Sequence, residues 1–444
     1  MPTHRHLSHE LGIGVGTVTK AYAEAERLGL VAGTVGRGTF ISAAGSPAAR
    51  SVDGEVIDIT MNLPSLRPAA GRLAQTLARL RRRPDIEGYA GSAPHAGIDW
   101  HRQAAAEWLA RTARFDAVDW RRLVICTGAQ HAMALALGQV CGPGDTVLTE
   151  AVTFHGMRAL AEHRGYRLMG LPMDREGLLP EALERAAAQT QAKALYVQPT
   201  LQNPTARSMS RARREAIARV ARQCGLWILE AGIYAPLAFG GGAAGQDLVQ
   251  QDLVPQGLVP QGLVPLAALA PERSFYASSV SKALAPGLRA GFLVAPDAAR
   301  FAGICRAMGA TSYSACALGP LVAAQWMRDG TADEILGEVR REAIGRAALA
   351  REILGDAMEP PSFPASLHAW LPLGELEAER IAGEALRRGV ALTPPAALAV
   401  AGEHEAGLRL CLCAAPDLPH FERALRILAA VLAGTDAGAS RSVI

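Results

Sequence analysis

Ser279-Val280-Ser281-Lys282-Ala283-Leu284-Ala285-Pro286-Gly287-Leu288-Arg289-Ala290-Gly291 places one lysine among hydroxyls, with an arginine downstream. The apolar run Ser274–Ala277 precedes it and Gly291–Val294 closes it. A lysine in a desolvated place beside positive charge has a lowered pKa and attacks carbonyl carbons. Hydroxyls and a guanidinium suit a phosphate. Further apolar strand candidates are Val124–Cys126, Thr146–Leu148, Ala194–Val197 and Trp227–Leu229, separated by alanine-rich helical stretches such as Arg211–Cys224. That alternation predicts an α/β fold with a mostly parallel sheet covered by helices. Leu418–Leu432 has Phe421, Leu425, Leu428 and Leu432 on one face and reads as a closing helix.

The chain has 444 residues, 45 lysines and arginines against 42 aspartates and glutamates, and a net charge of +3. Half the residues are hydrophobic, so two or three domains with real cores are expected and a wholly disordered chain is excluded. Near-neutrality argues against a nucleic-acid coat or a polybasic membrane binder, but leaves room for a small DNA-reading module. Seven scattered cysteines make no disulfide framework and fit a reducing cytoplasm. Met1-Pro2-Thr3-His4-Arg5 has no apolar leader and no run reaches ~18 apolar residues, so neither signal peptide nor membrane span is expected. The histidines lack His-Glu-x-x-His spacing, and Cys411-x-Cys413 lacks a second pair, so no metal site is expected. Cys411 and Cys413 share parity with Arg409 and read as small core residues.

Residues 1–42 differ from the rest. His4–Leu11 reads as a short helix capped by Thr3, and Gly12-Ile13-Gly14 as a turn. Val15–Leu28 reads as a second helix with Val18, Tyr22 and Ala25 on one face, stopped by Gly29. Leu30-Val31 and Thr39-Phe40-Ile41 read as strands around a glycine-rich hairpin. The quoted order, with Pro2-Thr3-His4-Arg5, Thr17-Val18-Thr19-Lys20-Ala21-Tyr22 and Gly36-Arg37-Gly38-Thr39-Phe40, resembles the GntR-type winged helix-turn-helix. The resemblance implies DNA contacts by Arg5, Thr17, Thr19, Lys20 and Arg37, residue types that bond phosphates and base edges. The family's module starts with a further helix, so this one looks truncated, with Leu7, Leu11, Val18 and Tyr22 short of cover. Its charge is small, Arg5, Lys20, Arg27 and Arg37 against Glu10, Glu24 and Glu26. Residues 43–56 read as a linker.

The lysine segment and the motifs ahead of it resemble fold-type-I aminotransferases and the MocR regulators related to them. The resemblance implies that Lys282 forms a Schiff base with pyridoxal 5'-phosphate (PLP). It places Ala129 and Gln130, at the start of a helix after Gly128, with Ser279, Ser281 and Arg289 around the phosphate. Phe154 would stack on the ring, Asn203 of Gln202-Asn203-Pro204-Thr205 and Tyr234 would bond the ring oxygen, and Tyr89 would reach across a homodimer. Arg409 would hold a substrate carboxylate.

One residue departs from that pattern. Relatives carry an aspartate three positions before the tyrosine, paired with the ring nitrogen, which makes the ring an electron sink. Here Leu229-Glu230-Ala231-Gly232-Ile233-Tyr234 has Ala231 at that place. Neighbouring strand side chains face opposite ways, so Glu230 can substitute only if the strand end is bulged or turned. Cofactor binding is therefore expected to be weakened, and proton removal more damaged than amine exchange at Lys282.

A five-residue repeat, Gln246 to Pro265, reads as an extended surface loop. Arg79, Arg81, Arg82 and Arg83 read as a solvated helix end. The expected organisation is a winged helix-turn-helix over 1–42, a linker over 43–56, an aminotransferase-like large domain over 57–345 interrupted by 246–265, and a small domain over 346–444. The expected function is a cytoplasmic, homodimeric DNA-binding regulator whose PLP domain senses an amine or amino acid. Two alternatives stay open: a PLP-dependent aminotransferase with a vestigial extension, and an aminotransferase-like effector domain without cofactor.

Overall fold

A computed structural model describes residues 2–27, 31–34, 38–41, 56–239, 262–400 and 405–434. Its central sheet has seven strands, numbered here in chain order: β1 Leu123–Thr127, β2 Thr146–Glu150, β3 Arg167–Leu171, β4 Ala194–Val197, β5 Trp227–Ala231, β6 Ser274–Ser279 and β7 Ala290–Val294. In space they run β1-β7-β6-β5-β4-β2-β3. β2 to β6 pair in parallel with their neighbours, and β7 runs antiparallel to both β6 and β1. Strands covered on both faces are apolar throughout, which is why they stand out in the sequence. Tyr196, Leu229, Ala231, Phe275 and Ala277 enter the core on one face, while Leu195, Val197 and Ile228 enter that on the other. Edge strand β3 is not evident from the sequence, since Arg167 and Gly170 interrupt its apolar run.

Local chemistry sets the helix ends. Ser210 caps Arg211–Gln223 by accepting from Arg213 N, and Cys224 is the C-cap instead of the last helical residue. Asp417 caps Leu418–Leu432 the same way through His420 N, and Phe421, Leu425 and Leu428 are buried as the pattern demands. Arg81 caps the C-terminus of Arg67–Leu80 and, with Arg82, is exposed.

The segment after the linker region does not stay with the large sheet. Ile57–Asp58 pairs in parallel with Val390–Ala391, near the antiparallel pair His368–Pro372 and Gly407–Cys411. The helix Thr331–Leu354 runs unbroken through residues 345 and 346. Cys413 lies beyond the end of its strand, so the parity with Arg409 serves Cys411 alone.

Most of the pentad repeat lies outside the described residues. Its last copy is not a surface loop: Leu263 is buried in the core, and Pro265 caps the short helix Leu266–Leu269. Val264 O accepts from Arg214 Nη1 at 3.0 Å. Arg214 is itself buried, with Nε on Met209 O and Nη2 on Pro199 O and Thr200 Oγ1.

Near the N-terminus, helices His4–Leu11 and Val15–Arg27 precede an antiparallel pair, Val31–Thr34 with Gly38–Ile41. Gly33 and Thr34 are thus strand residues, not turn. The expected stop at Gly29 and the wing residue Arg37 lie outside the described residues. Thr3 caps the first helix through His6 N at 3.3 Å. Val18 and Tyr22 are buried, contrary to the expected lack of cover: Tyr22 donates to Pro2 O at 2.7 Å, and the His4 ring meets Tyr22 edge-on at 4.4 Å. Leu11 stays exposed, as expected. No described helix is long and apolar enough to cross a membrane.

Arg214→Met removes a cation that satisfies three buried carbonyls. It should cost about 3–5 kcal/mol of stability, read as a large fall in the thermal or urea midpoint. A surface control, Arg219→Met, should leave the midpoint within about 0.5 kcal/mol.

Candidate functional site

Four sequence-predicted residues from separate stretches meet at the C-terminal ends of the central strands. Arg409 Nη1 donates to Asn203 Oδ1 at 2.9 Å. Asn203 Nδ2 donates to the Tyr234 hydroxyl oxygen at 3.4 Å. That oxygen also accepts from Asn62 Nδ2 at 3.0 Å, and Lys282 Nζ donates to Asn62 O. Burial, with Arg409 and Arg289 near, brings the Lys282 amine down to about 8, and burial pushes the Tyr234 phenol up to about 12.

Arg409 is a buried cation among neutral oxygens. Its Nη2 donates to Thr60 O at 2.7 Å and Thr393 Oγ1 at 2.9 Å, and its Nε has no hydrogen-bond partner among the described residues. No carboxylate pairs with it among the described residues. Cys411, on the same strand face, lies against Thr60 O at 3.4 Å.

A second cluster surrounds the start of helix Ala129–Leu137. Its first N–H groups have no partner within the helix. Ser279 pairs with Gly291 across β6 and β7, and Gly291 approaches Gly128 so closely that a Cβ would lie 2.4 Å from its carbonyl carbon. At Gly128, with φ +81°, a Cβ would lie 2.5 Å from Arg289 Nη2, which donates to Thr127 O at 3.3 Å. Ser279, at the end of β6, and Ser281, next to Lys282, are buried. The Gln130 side-chain amide donates to Gly156 O at 2.6 Å, which leaves the residue's backbone N–H as its free donor at the helix start. Phe154 precedes helix His155–Arg164 and packs on the core cluster that contains Ala231.

Glu230 does not replace the missing aspartate. β5 is regular through Ala231, and Glu230 turns to the opposite face, where its Oε2 accepts from Ala267 N at 2.8 Å. Burial raises its carboxyl to about 7, against the pull of Arg214.

Tyr89 stands apart from Lys282 in this single chain: its oxygen accepts from Trp100 Nε1 at 3.0 Å and lies 3.5 Å from His101 Nε2. Arg5, Thr17 and Lys20 are exposed, while the Thr19 hydroxyl donates to Val15 O at 2.9 Å. Thr60, Asn62, His368 and Thr393 carry no signal in the sequence. None lies in a motif, and only the pairing of Ile57–Asp58 with Val390–Ala391 brings two of these stretches together.

This sheet order, with a half-buried lysine after β6 and a glycine-lined helix start after β1, defines a fold-type-I transferase-like protein. The family model for aminotransferase class I and II matches residues 56–428, and the chain belongs to that family. An uncharacterized HTH-type transcriptional regulator of Bacillus subtilis, YdeF, is 24% identical over 437 residues, covering 97% of this chain and 89% of that one. The 2-aminoadipate transaminase of Thermus thermophilus is 26% identical over 379 residues, 77% of this chain and 90% of that one. The structure of Pyrococcus horikoshii kynurenine aminotransferase, a complex with PMP, has a TM-score of 0.74 at 21% identity, over 86% of this chain and 91% of that one, which shows the shared fold.

An ordinary lysine becomes neutral near pH 10. Lys282, at about 8, should react earlier: its reductive methylation, followed by peptide mass spectrometry, should rise with pH and level off above about 8. A rate still climbing at pH 10 would contradict the burial-driven shift.

Proposed function

We propose that the chain is a cytoplasmic, homodimeric transcriptional regulator of the MocR/GntR type. Its N-terminal helix–turn–helix would read DNA through Arg5, Thr17, Thr19, Lys20 and Arg37. Its aminotransferase-like part would hold PLP on Lys282 and sense an amino acid. The chain would divide into 1–42, a linker over 43–56 and an aminotransferase-like part from 57 on, in which the helix Thr331–Leu354 crosses the boundary expected at 345 and Ile57–Asp58 joins the C-terminal strand Val390–Ala391. The observation that carries this reading is the reach of the YdeF likeness. An alignment over 97% of the chain takes in most of the 55 residues ahead of the aminotransferase match.

The residues suit PLP at three places. Lys282 is half-buried, and its surroundings lower its amine from the ordinary lysine range to about 8. Gly128, the free N–H groups at Ala129 and Gln130, Arg289, Ser279 and Ser281 make a glycine-floored cradle for the phosphate. Asn203 and Tyr234 would meet the ring oxygen, and Phe154 the ring face. At the ring nitrogen they do not suit it: Ala231 is buried in an apolar cluster and Glu230 faces away. When bound, PLP supplies a carbonyl carbon for which Lys282 and a ligand amine compete.

Arg409, a buried guanidinium facing neutral oxygens, suits a ligand carboxylate and so favours an amino acid over a simple amine. Amine exchange at Lys282 would need no carboxylate at position 231. Proton removal from the ligand would lack the carboxylate that stabilises the charge it creates. The likeness to the Thermus thermophilus transaminase favours a second reading, a functioning aminotransferase.

The test is an absorbance titration of full-length protein with PLP, then with amino acids and amines, beside Lys282→Ala. A visible band that Lys282→Ala abolishes, with turnover far below that of ordinary aminotransferases, is expected. Ala231→Asp should tighten PLP by about 1.5–3 kcal/mol and speed ligand deprotonation. Wild-type turnover equal to that of ordinary aminotransferases would replace this reading with the second. No uptake of PLP would end the cofactor assignment. Mobility shifts with the protein's own upstream DNA should weaken on Lys20→Ala and change with the ligand that displaces the band.

A further inference from the structure

Gln202, His368 and Asn62, buried polar groups that the roles above do not require, form a chain that ends on Tyr234. His368 Nε2 lies 2.9 Å from Gln202 O, and His368 Nδ1 lies 2.9 Å from Asn62 Nδ2. A carbonyl oxygen only accepts, so the hydrogen sits on Nε2. Burial keeps the ring neutral, its pKa brought down to about 3, with Arg409 and Lys282 adding to the shift. Nδ1 is then a lone-pair acceptor and takes one hydrogen from the Asn62 amide. The other amide hydrogen goes to the Tyr234 oxygen.

Asn62 gains nothing for itself by this orientation. Its Oδ1 is buried and has no partner among the described residues. Turned the other way, the amide could accept the Tyr234 hydrogen, but its oxygen would then oppose the His368 lone pair. His368 therefore sets the amide. The Tyr234 oxygen accepts from Asn62 and from Asn203, so its single hydrogen points at neither. Asn62 also holds Lys282 through its backbone oxygen.

We propose that His368, acting through Asn62, is a positioning residue that directs the Tyr234 phenol hydrogen toward the place beside Lys282 where a cofactor or ligand oxygen binds. The proposal rests on reading the Lys282 cluster as a PLP site. His368 touches no reacting atom; it fixes which partner of Tyr234 is donor and which is acceptor.

The experiment uses full-length protein, with PLP as the probe, and the variants His368→Phe, Tyr234→Phe and His368→Phe/Tyr234→Phe. The readouts are PLP affinity and the pH midpoint of the visible band. Each single variant should weaken PLP by roughly three- to tenfold, the worth of one hydrogen bond, and move the midpoint in the same direction. The double variant should be no worse than Tyr234→Phe, because the two act through one contact. Additive losses, or an unmoved midpoint in a folded His368→Phe, would overturn the proposal. A second measurement needs neither variant stability nor PLP: the tautomer of ring-labelled His368 in the wild-type protein, read by long-range proton–nitrogen NMR. Nε2–H supports the chain; Nδ1–H, or a protonated ring at neutral pH, overturns it. Wild-type protein that takes up no PLP would end the cofactor reading, and the tautomer would then decide the relay alone.

Discussion

The buried guanidinium of Arg409 is the contact on which the site's assembly depends. It joins Asn203, Thr60 and Thr393, three stretches from the two ends and the middle of the chain. A buried cation costs several kcal/mol unless its hydrogens are satisfied. Neutral oxygens meet that demand at Nη1 and Nη2, and each must arrive in register. Arg409 pairs with Trp370, which sets His368 opposite Cys411 and brings His368 to Asn62. The parallel pairing of Ile57–Asp58 with Val390–Ala391 delivers Thr60 and Thr393 to the same side. One charge thus fixes a strand pair, the N-terminal segment and the Asn203 loop together.

Strands were legible in the sequence where burial on both faces made them apolar throughout. They were read short where polar residues continue the ladder, as at Glu150 and at Ser278 and Ser279. Those side chains belong to strand ends that bear function, so polarity there reflects chemistry instead of a turn. β3 was missed because an edge strand tolerates Arg167 and Gly170. Of the candidate site, Lys282, Asn203, Tyr234 and Arg409 were legible as an ordered set, and the structure brings them together. Asn62, Thr60, Thr393 and His368 were not, because only long-range register makes them neighbours. β5 is unbulged and the Glu230 carboxylate faces Ala267, as side-chain alternation along a strand demands.

Glu230 also explains why its neighbour cannot be compensated cheaply. The carboxylate is built into the far face, against the N–H of Ala267 and near Arg214, which itself holds Met209, Pro199 and Val264. Moving Glu230 toward the site face would leave the buried Ala267 N–H unpaired and take the carboxylate away from Arg214. The strand's regularity, a stability feature, therefore keeps the site face at Ala231 apolar.

The Asn203 loop ties the site to the C-terminal strands a second time. Arg207 grips Glu359 through Nε and Nη2 and Glu405 through Nη1 and Nη2, at 2.6 to 2.8 Å. Ser362 N donates to Ala206 O at 3.1 Å. Leu201 and Ala206 hold positive φ, of 48° and 58°, a conformation that costs a residue with a Cβ about 1–2 kcal/mol. Such strain persists only where the surrounding bonds over-determine it. Glu405 stands just ahead of the strand that carries Arg409, so the loop grips that strand at its start through Arg207 and along its length through Asn203. A shift of the strand cannot break one contact and spare the other. The site and the C-terminal strands must move as one body or not at all.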